Sequence, residues 1–96
     1  MKTTIMKPQF RLGAVVGTPA AVRAIADAGQ TPDFFLRKHV AGDWGDCCEE
    51  DRQVNNDALK HGDRILSVYT TLKSVRIWII TERDRSVTTI LLPDEY

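Results

Sequence analysis

The last third of the chain constrains its fold more than any other stretch, because RILSVYTT (64–71), VRIWIITE (75–82) and SVTTILL (86–92) follow one another with only LKS and RDR between them. Each run is rich in Ile, Val, Thr, Tyr and Trp, side chains that suit a pleated surface. Connectors this short join only antiparallel neighbours, so the spacing predicts a β-meander over about 64–92. Alternation along the middle strand sends Val75, Ile77 and Ile79 to one side and Arg76, Trp78, Ile80 and Glu82 to the other. The first side is the more apolar and has to be covered by something else in the chain. Pro93 ends the last strand and leaves Asp94, Glu95 and Tyr96 as a short polar tail.

The cover is encoded upstream. GTPAAVRAIADAG (17–29) and QTPDFFLRKHVAG (30–42) repeat one pattern, Thr before Pro and Ala-Gly at the close. Thr at an N-cap, Pro at the first helical position and Gly past the end punctuate a helix, which predicts helices over about Pro19–Ala28 and Pro32–Ala41. Helical spacing groups Val22, Ile25 and Ala26 on the first, and Leu36 and Val40 on the second with Phe35 and His39 beside them. A third helix is expected over about Cys47–Lys60, with Asp46 as N-cap and Glu49 completing a capping box. Val54, Ala58 and Leu59 are its expected buried stripe, and Gly62 its stop. FRLGAVV (10–16) is a possible fourth strand, weakened by Gly13.

The fold class that follows is α+β: three short N-terminal helices packed on one face of a three- or four-stranded antiparallel sheet. A chain of 96 residues supports one domain, helical over about 18–61 and extended over about 64–92. With 43% hydrophobic and 27% charged residues, and no apolar run near the ~20 residues that span a bilayer, a membrane protein is excluded. MKTTIMKPQF lacks the continuous apolar segment of a secretory signal. The only cysteines, Cys47 and Cys48, are adjacent and cannot staple a secreted scaffold. A cytoplasmic protein is the expectation.

Charge is balanced overall but not locally. Residues 26–63 hold nine acids against four bases, whereas residues 1–25 hold four bases and no acid. Tight sequence-neutral nucleic-acid binding draws on a basic excess, which is missing here, so nucleic acid is a disfavoured partner.

Chemistry concentrates in HVAGDWGDCCEED (39–51). His39, Asp43, Asp46 and Glu50 are the candidates for an acidic, ion-assisted hydrolytic site. Against it, acids in a first helical turn are favoured by the helix dipole alone. Two thiols in a Cys-Cys pair diverge by about 100° and do not share one zinc ion, and Glu49, Glu50 and Asp51 oppose a reactive thiolate. No catalytic residue, metal or cofactor is assigned. Trp44 between Asp43 and Gly45 is either a core plug or a binding anchor, and Tyr69, Arg76 and Trp78 form an aromatic–arginine patch if they share the sheet's outer face. These four are the candidate binding residues, with another protein as the expected partner.

GDWGD (42–46), IWIITE (77–82), DRSVTT (84–89) and LLPDEY (91–96) resemble a group of short bacterial proteins of unknown function, often plasmid- or mobile-element-borne. Some of that group carry the label of the methylation subunit of type I restriction systems. The resemblance spans about residues 12–96 and implies an accessory role in a restriction or mobile-element setting. It does not imply methyl transfer, which needs a doubly wound sheet with a Gly-rich loop that this chain has neither the motifs nor the length to hold.

Overall fold

The computed structural model describes residues 8–96. The opening segment 1–7, most of the stretch read above for a secretory signal, lies outside the described residues. Chain order is β1 (Ala14–Gly17), α1 (Pro19–Asp27), α2 (Pro32–Val40), α3 (Glu49–His61), β2 (Ile65–Thr70), β3 (Arg76–Thr81) and β4 (Val87–Leu91), closed by a 3-10 turn at Pro93–Glu95. The fold is α+β.

The meander forms as its connectors require. β2 pairs antiparallel with β3 and β3 with β4, and Thr71 and Val75 close the first turn around Leu72, Lys73 and Ser74. The sheet as a whole corrects the antiparallel expectation: its order is β1-β4-β3-β2, and β1 lies parallel to β4. That topology follows from what separates the two strands. The whole helical region and the other two strands lie between β1 and β4, so no tight turn dictates an antiparallel pairing. The helices are therefore flanked by strands and do not open the fold.

Thr18 and Thr31 cap α1 and α2, their hydroxyls accepting from the amides of Ala21 and Phe34. The faces they bury differ from the simple wheel. Ala21 and Ile25 of α1 and Phe35 of α2 pack on Tyr69, Ile77, Ile79 and Ile90, leaving Val22 and Ala26 exposed. In α2 the fully buried residues are Phe35 and His39, while Leu36 and Val40 are half-buried.

α3 corrects two further expectations. Its N-cap is Cys48, without a side-chain bond, because Asp46 instead accepts from the Thr70 hydroxyl at 2.8 Å. Its buried residues are Asn55 and Ala58, with Leu59 half-buried and Val54 60% exposed. Nor does α3 join α1 and α2 over the sheet face; it meets the outer edge of β2. There the Asn55 carboxamide accepts from the Leu66 amide at 3.1 Å and donates to its carbonyl at 2.6 Å, imitating a paired strand. This explains a polar side chain buried to 3%. Asn55→Ala strips both bonds from β2, and urea titration is expected to show a loss of roughly 2–3 kcal/mol.

Candidate functional site

The segment from His39 to Arg52 is held by backbone contacts, and the residues proposed to act together are dispersed by them. Past the end of α2, the chain reverses and lays Trp44–Asp46 against β2. The Val68 amide donates to the Trp44 carbonyl at 3.0 Å, and the Asp46 amide donates to the Val68 carbonyl at 2.6 Å. The approach is too close for a side chain at Gly45, whose Cβ would stand 2.0 Å from the Val68 carbonyl oxygen, and its φ of 77° is left-handed as well. Arg52 reaches back from α3 to the carbonyls of Gly45 and Cys47 at 2.7 and 3.2 Å. With Asn55 on Leu66 and the Gly45 strap on Val68, the outward edge of β2 is closed.

Trp44 is the plug, not an anchor. It is 2% exposed, its indole N–H donates to Asn56 at 3.0 Å, and its ring stacks on Phe10 at 6.2 Å. The requirement that a buried indole find an acceptor is met by α3, so the residue is spent inside the molecule.

His39 is completely buried, and its hydrogen bonds define its proton. The Thr88 hydroxyl donates to the Leu12 carbonyl at 2.7 Å. Thr88 therefore accepts from Thr81 at 2.7 Å, Thr81 accepts from His39 Nε2 at 2.8 Å, and His39 Nδ1 accepts from Ser67 at 2.6 Å. The direction set at Leu12 puts a proton on Nε2, and in the neutral ring that burial favours Nδ1 is the acceptor. Burial first, and the Arg85 guanidinium second, depress the His39 pKa from 6.5 to about 3. With both nitrogens engaged by hydroxyls that no solvent reaches, this ring has neither a lone pair for a metal nor access for a substrate.

The carboxylates do not gather round it. Asp43 accepts from the Gly45 amide at 3.2 Å and faces Lys38 at 3.9 Å, Asp46 holds Thr70, and Glu50 is exposed in the first turn of α3. Among the described residues no cluster of three or more His, Cys, Asp or Glu side chains could hold a metal ion. Asp43, Asp46 and Lys38 do border a cleft of about 170 Å³ beside Phe34 and Thr70. Pockets for small ligands run from roughly 300 Å³ upward, so this one is undersized. The two cysteines are free thiols, Cys47 buried and Cys48 exposed, and burial pushes the Cys47 thiol up, away from reactivity.

The aromatic patch is reassembled from different residues. Tyr69 pairs with Ile77 and lies in the helix-facing core, where burial raises its hydroxyl; it shares no face with Arg76 and Trp78. Its hydroxyl donates to the Asp43 carbonyl, another tie on the strap. Trp78 pairs with Val68 and stands half-buried on the opposite face, with exposed Arg76 two residues before it on the same side. The residue that replaces Tyr69 is Tyr96. Its ring meets Trp78 edge to face at 5.6 Å, and the Arg64 guanidinium lies 5.4 Å over it. The 3-10 turn brings it there, fixed by Glu95, which accepts from the Leu92 amide at 2.8 Å and the Thr18 hydroxyl at 2.6 Å. The sequence predicts a polar tail at 94–96, and nothing local in LLPDEY signals that its last ring returns to the sheet.

Comparison with protein-family models, curated proteins and solved structures finds no match to this chain. Among the described residues no helix is long and apolar enough to cross a membrane.

Proposed function

We propose that this chain is an interaction module that docks an acidic segment of another protein on the outer face of its sheet, around Trp78, Arg76, Tyr96 and Arg64. The observation that carries this reading is the pairing of two edge-to-face aromatic rings with arginines that no carboxylate neutralises. Trp, Tyr and Arg are the side chains most enriched where interfaces hold their energy. Arg76 and Arg64 form no ion pair among the described residues, whereas Arg37, Lys38 and Arg83 each have an acid within 4.0 Å. α1 and α2 pack on the other face; on this one Val68, Ile80 and Leu91 are buried, and Arg64, Arg76 and Tyr96 are the exposed groups a partner would meet.

Aromatic rings beside arginines also stack on bases, and nucleic acid is the competing reading for the same surface. The equal numbers of acidic and basic side chains oppose it. The resemblance to short plasmid-borne proteins supports an accessory place in a bacterial restriction or mobile-element system. Two free thiols fit a reducing cytoplasm.

The test is capture of a partner from lysate by the wild-type chain and by Arg64→Glu/Arg76→Glu. Both positions are on the surface, so the variant is expected to keep its fold and to lose at least about tenfold in affinity for the captured protein. Undiminished capture by the folded variant contradicts the assignment. Steeply salt-dependent binding of single-stranded oligonucleotides, lost in the same variant, moves it to nucleic acid.

A further inference from the structure

The two edges of the sheet are treated oppositely. β2 is sealed by the Gly45 strap and by Asn55, while β1, a short strand of four residues, carries no charge, no proline and no bulge. All four of its residues are exposed, Val15 to 45% and Val16 to 49%. The Ala14 and Thr18 amides donate to the Ser86 and Ile90 carbonyls of the neighbouring strand, which fixes the alternation. In a parallel pair the residues between them, Val15 and Gly17, turn their backbone groups the other way, off the sheet.

α1 packs on β4 and reaches β1 at Val22. Val22 lies directly over β1, its Cγ2 only 2.9 Å from where a Cβ on Gly17 would stand, yet it remains 41% exposed. Ala26, one turn on and on the same flank, is exposed too. Val22 and Ala26 thus leave apolar surface of α1 uncovered on the β1 side. Residues 12–22, LGAVVGTPAAV, contain no ionisable side chain in a chain that is 27% charged. A surface that must meet its own copy needs that neutrality, because any charge near a two-fold axis faces itself.

We propose that β1 is a dimerisation strand that pairs antiparallel with β1 of a second copy. Centred on Val15, the pairing sets Val15 against Val15 and Gly17 against Gly13, and extends two four-stranded sheets into one of eight. The two α1 helices then run antiparallel above the junction, where small Ala26 and Val22 allow close approach. The dimer would bury Val15, Val22 and Ala26 of each copy on the helix-covered side, with Val16 beside its counterpart on the opposite face. It would also place two Trp78 faces on one continuous sheet, although it stands whether or not that face binds a partner.

Sedimentation equilibrium from micromolar to millimolar protein reads the association directly. The wild-type chain is expected to form a dimer whose dissociation constant Val15→Lys weakens by at least about tenfold. Val54→Lys, on the far helix α3 and 60% exposed in the monomer, is expected to leave it unchanged. Hydrogen exchange on the unmodified protein covers the case in which Val15→Lys disturbs the fold. The Val15 and Gly17 amides are expected to gain protection as concentration rises, while Val16, already bonded within the sheet, does not. A wild-type chain that stays monomeric throughout, or a dimer that neither responds to Val15→Lys nor protects those two amides, overturns the proposal.

Discussion

His39→Ala is expected to cost about 3–5 kcal/mol, a large share of the 5–15 kcal/mol that stabilises a typical domain. The loss has two sources. The buried hydrogen bonds of His39 to Ser67 and Thr81 are lost, and the ring's packing against Phe10 at 5.1 Å and Trp44 at 6.1 Å disappears. The wild-type chain should also be acid-labile for the same reason. The His39 pKa is depressed from 6.5 to about 3, so below 6.5 the unfolded chain takes up a proton that the folded one refuses. Its contribution is complete above 6.5 and drains away as pH falls toward 3, by up to about 1.4 kcal/mol per pH unit. The whole window is worth on the order of 5 kcal/mol. His39→Gln keeps a donor and an acceptor in place of the ring. It is expected to be less stable than wild type at neutral pH but to lack the acid slope, so that chemical-denaturation curves of the two converge toward about pH 4. Parallel curves would mean that this histidine does not govern the acid limb.

Gly45→Ala is expected to be as damaging, although it adds one methyl group. That methyl would stand 2.0 Å from the Val68 carbonyl oxygen and 2.6 Å from Cδ1 of Tyr69, so either the strap or β2 has to move. Moving the strap breaks both backbone bonds to Val68 and withdraws Trp44 from the core. A loss of at least about 4 kcal/mol is expected, or a fall in Tm of roughly 15 °C or more. Gly29→Ala isolates the steric cause. Gly29 has a similar φ of 73°, but nothing lies within 4 Å of the added carbon, so only the left-handed backbone cost of about 1 kcal/mol remains. Equal effects at the two positions would show that φ, not the strap, sets the requirement for glycine.

The elements were legible where one residue type has one local use. Thr-Pro openings and Ala-Gly closures located α1 and α2, and branched residues between short connectors located the meander. What failed was lateral information. β1 pairs with a strand at the far end of the chain, and no local pattern reports the direction of that pairing. The Tyr69 error has a smaller cause. Taking LKS as a three-residue turn pairs Thr71 with Val75, and counting back from there sets Tyr69 opposite Ile77 and Trp78 opposite Val68, a register that composition alone does not carry. Asn55, Ser67, Thr81 and Thr88 were passed over because polar residues at core positions read as surface until a partner is visible. Three of them, with His39, make the hydroxyl–imidazole chain.

The acid cluster divides between two tasks. Glu49, Glu50 and Asp51 do fill the first turn of α3, where a helix start favours them. Asp46 was assigned to the same task and instead ties Thr70, because the strap on β2 claims its backbone before the helix begins.

The stretch from His39 to Asp46 is a structural lock, and the proposed interaction surface lies apart from it, around Trp78 and Tyr96. The most direct test of the lock is the nitrogen-15 spectrum of the His39 imidazole, followed from neutral pH down to about 4 and repeated with added zinc, manganese and calcium. A neutral ring protonated at Nε2, unmoved by acid until the protein unfolds and unmoved by every ion, is the expected result. Titration of the folded protein near 6.5, or a shift on adding a metal, would contradict the lock and return this segment to chemistry.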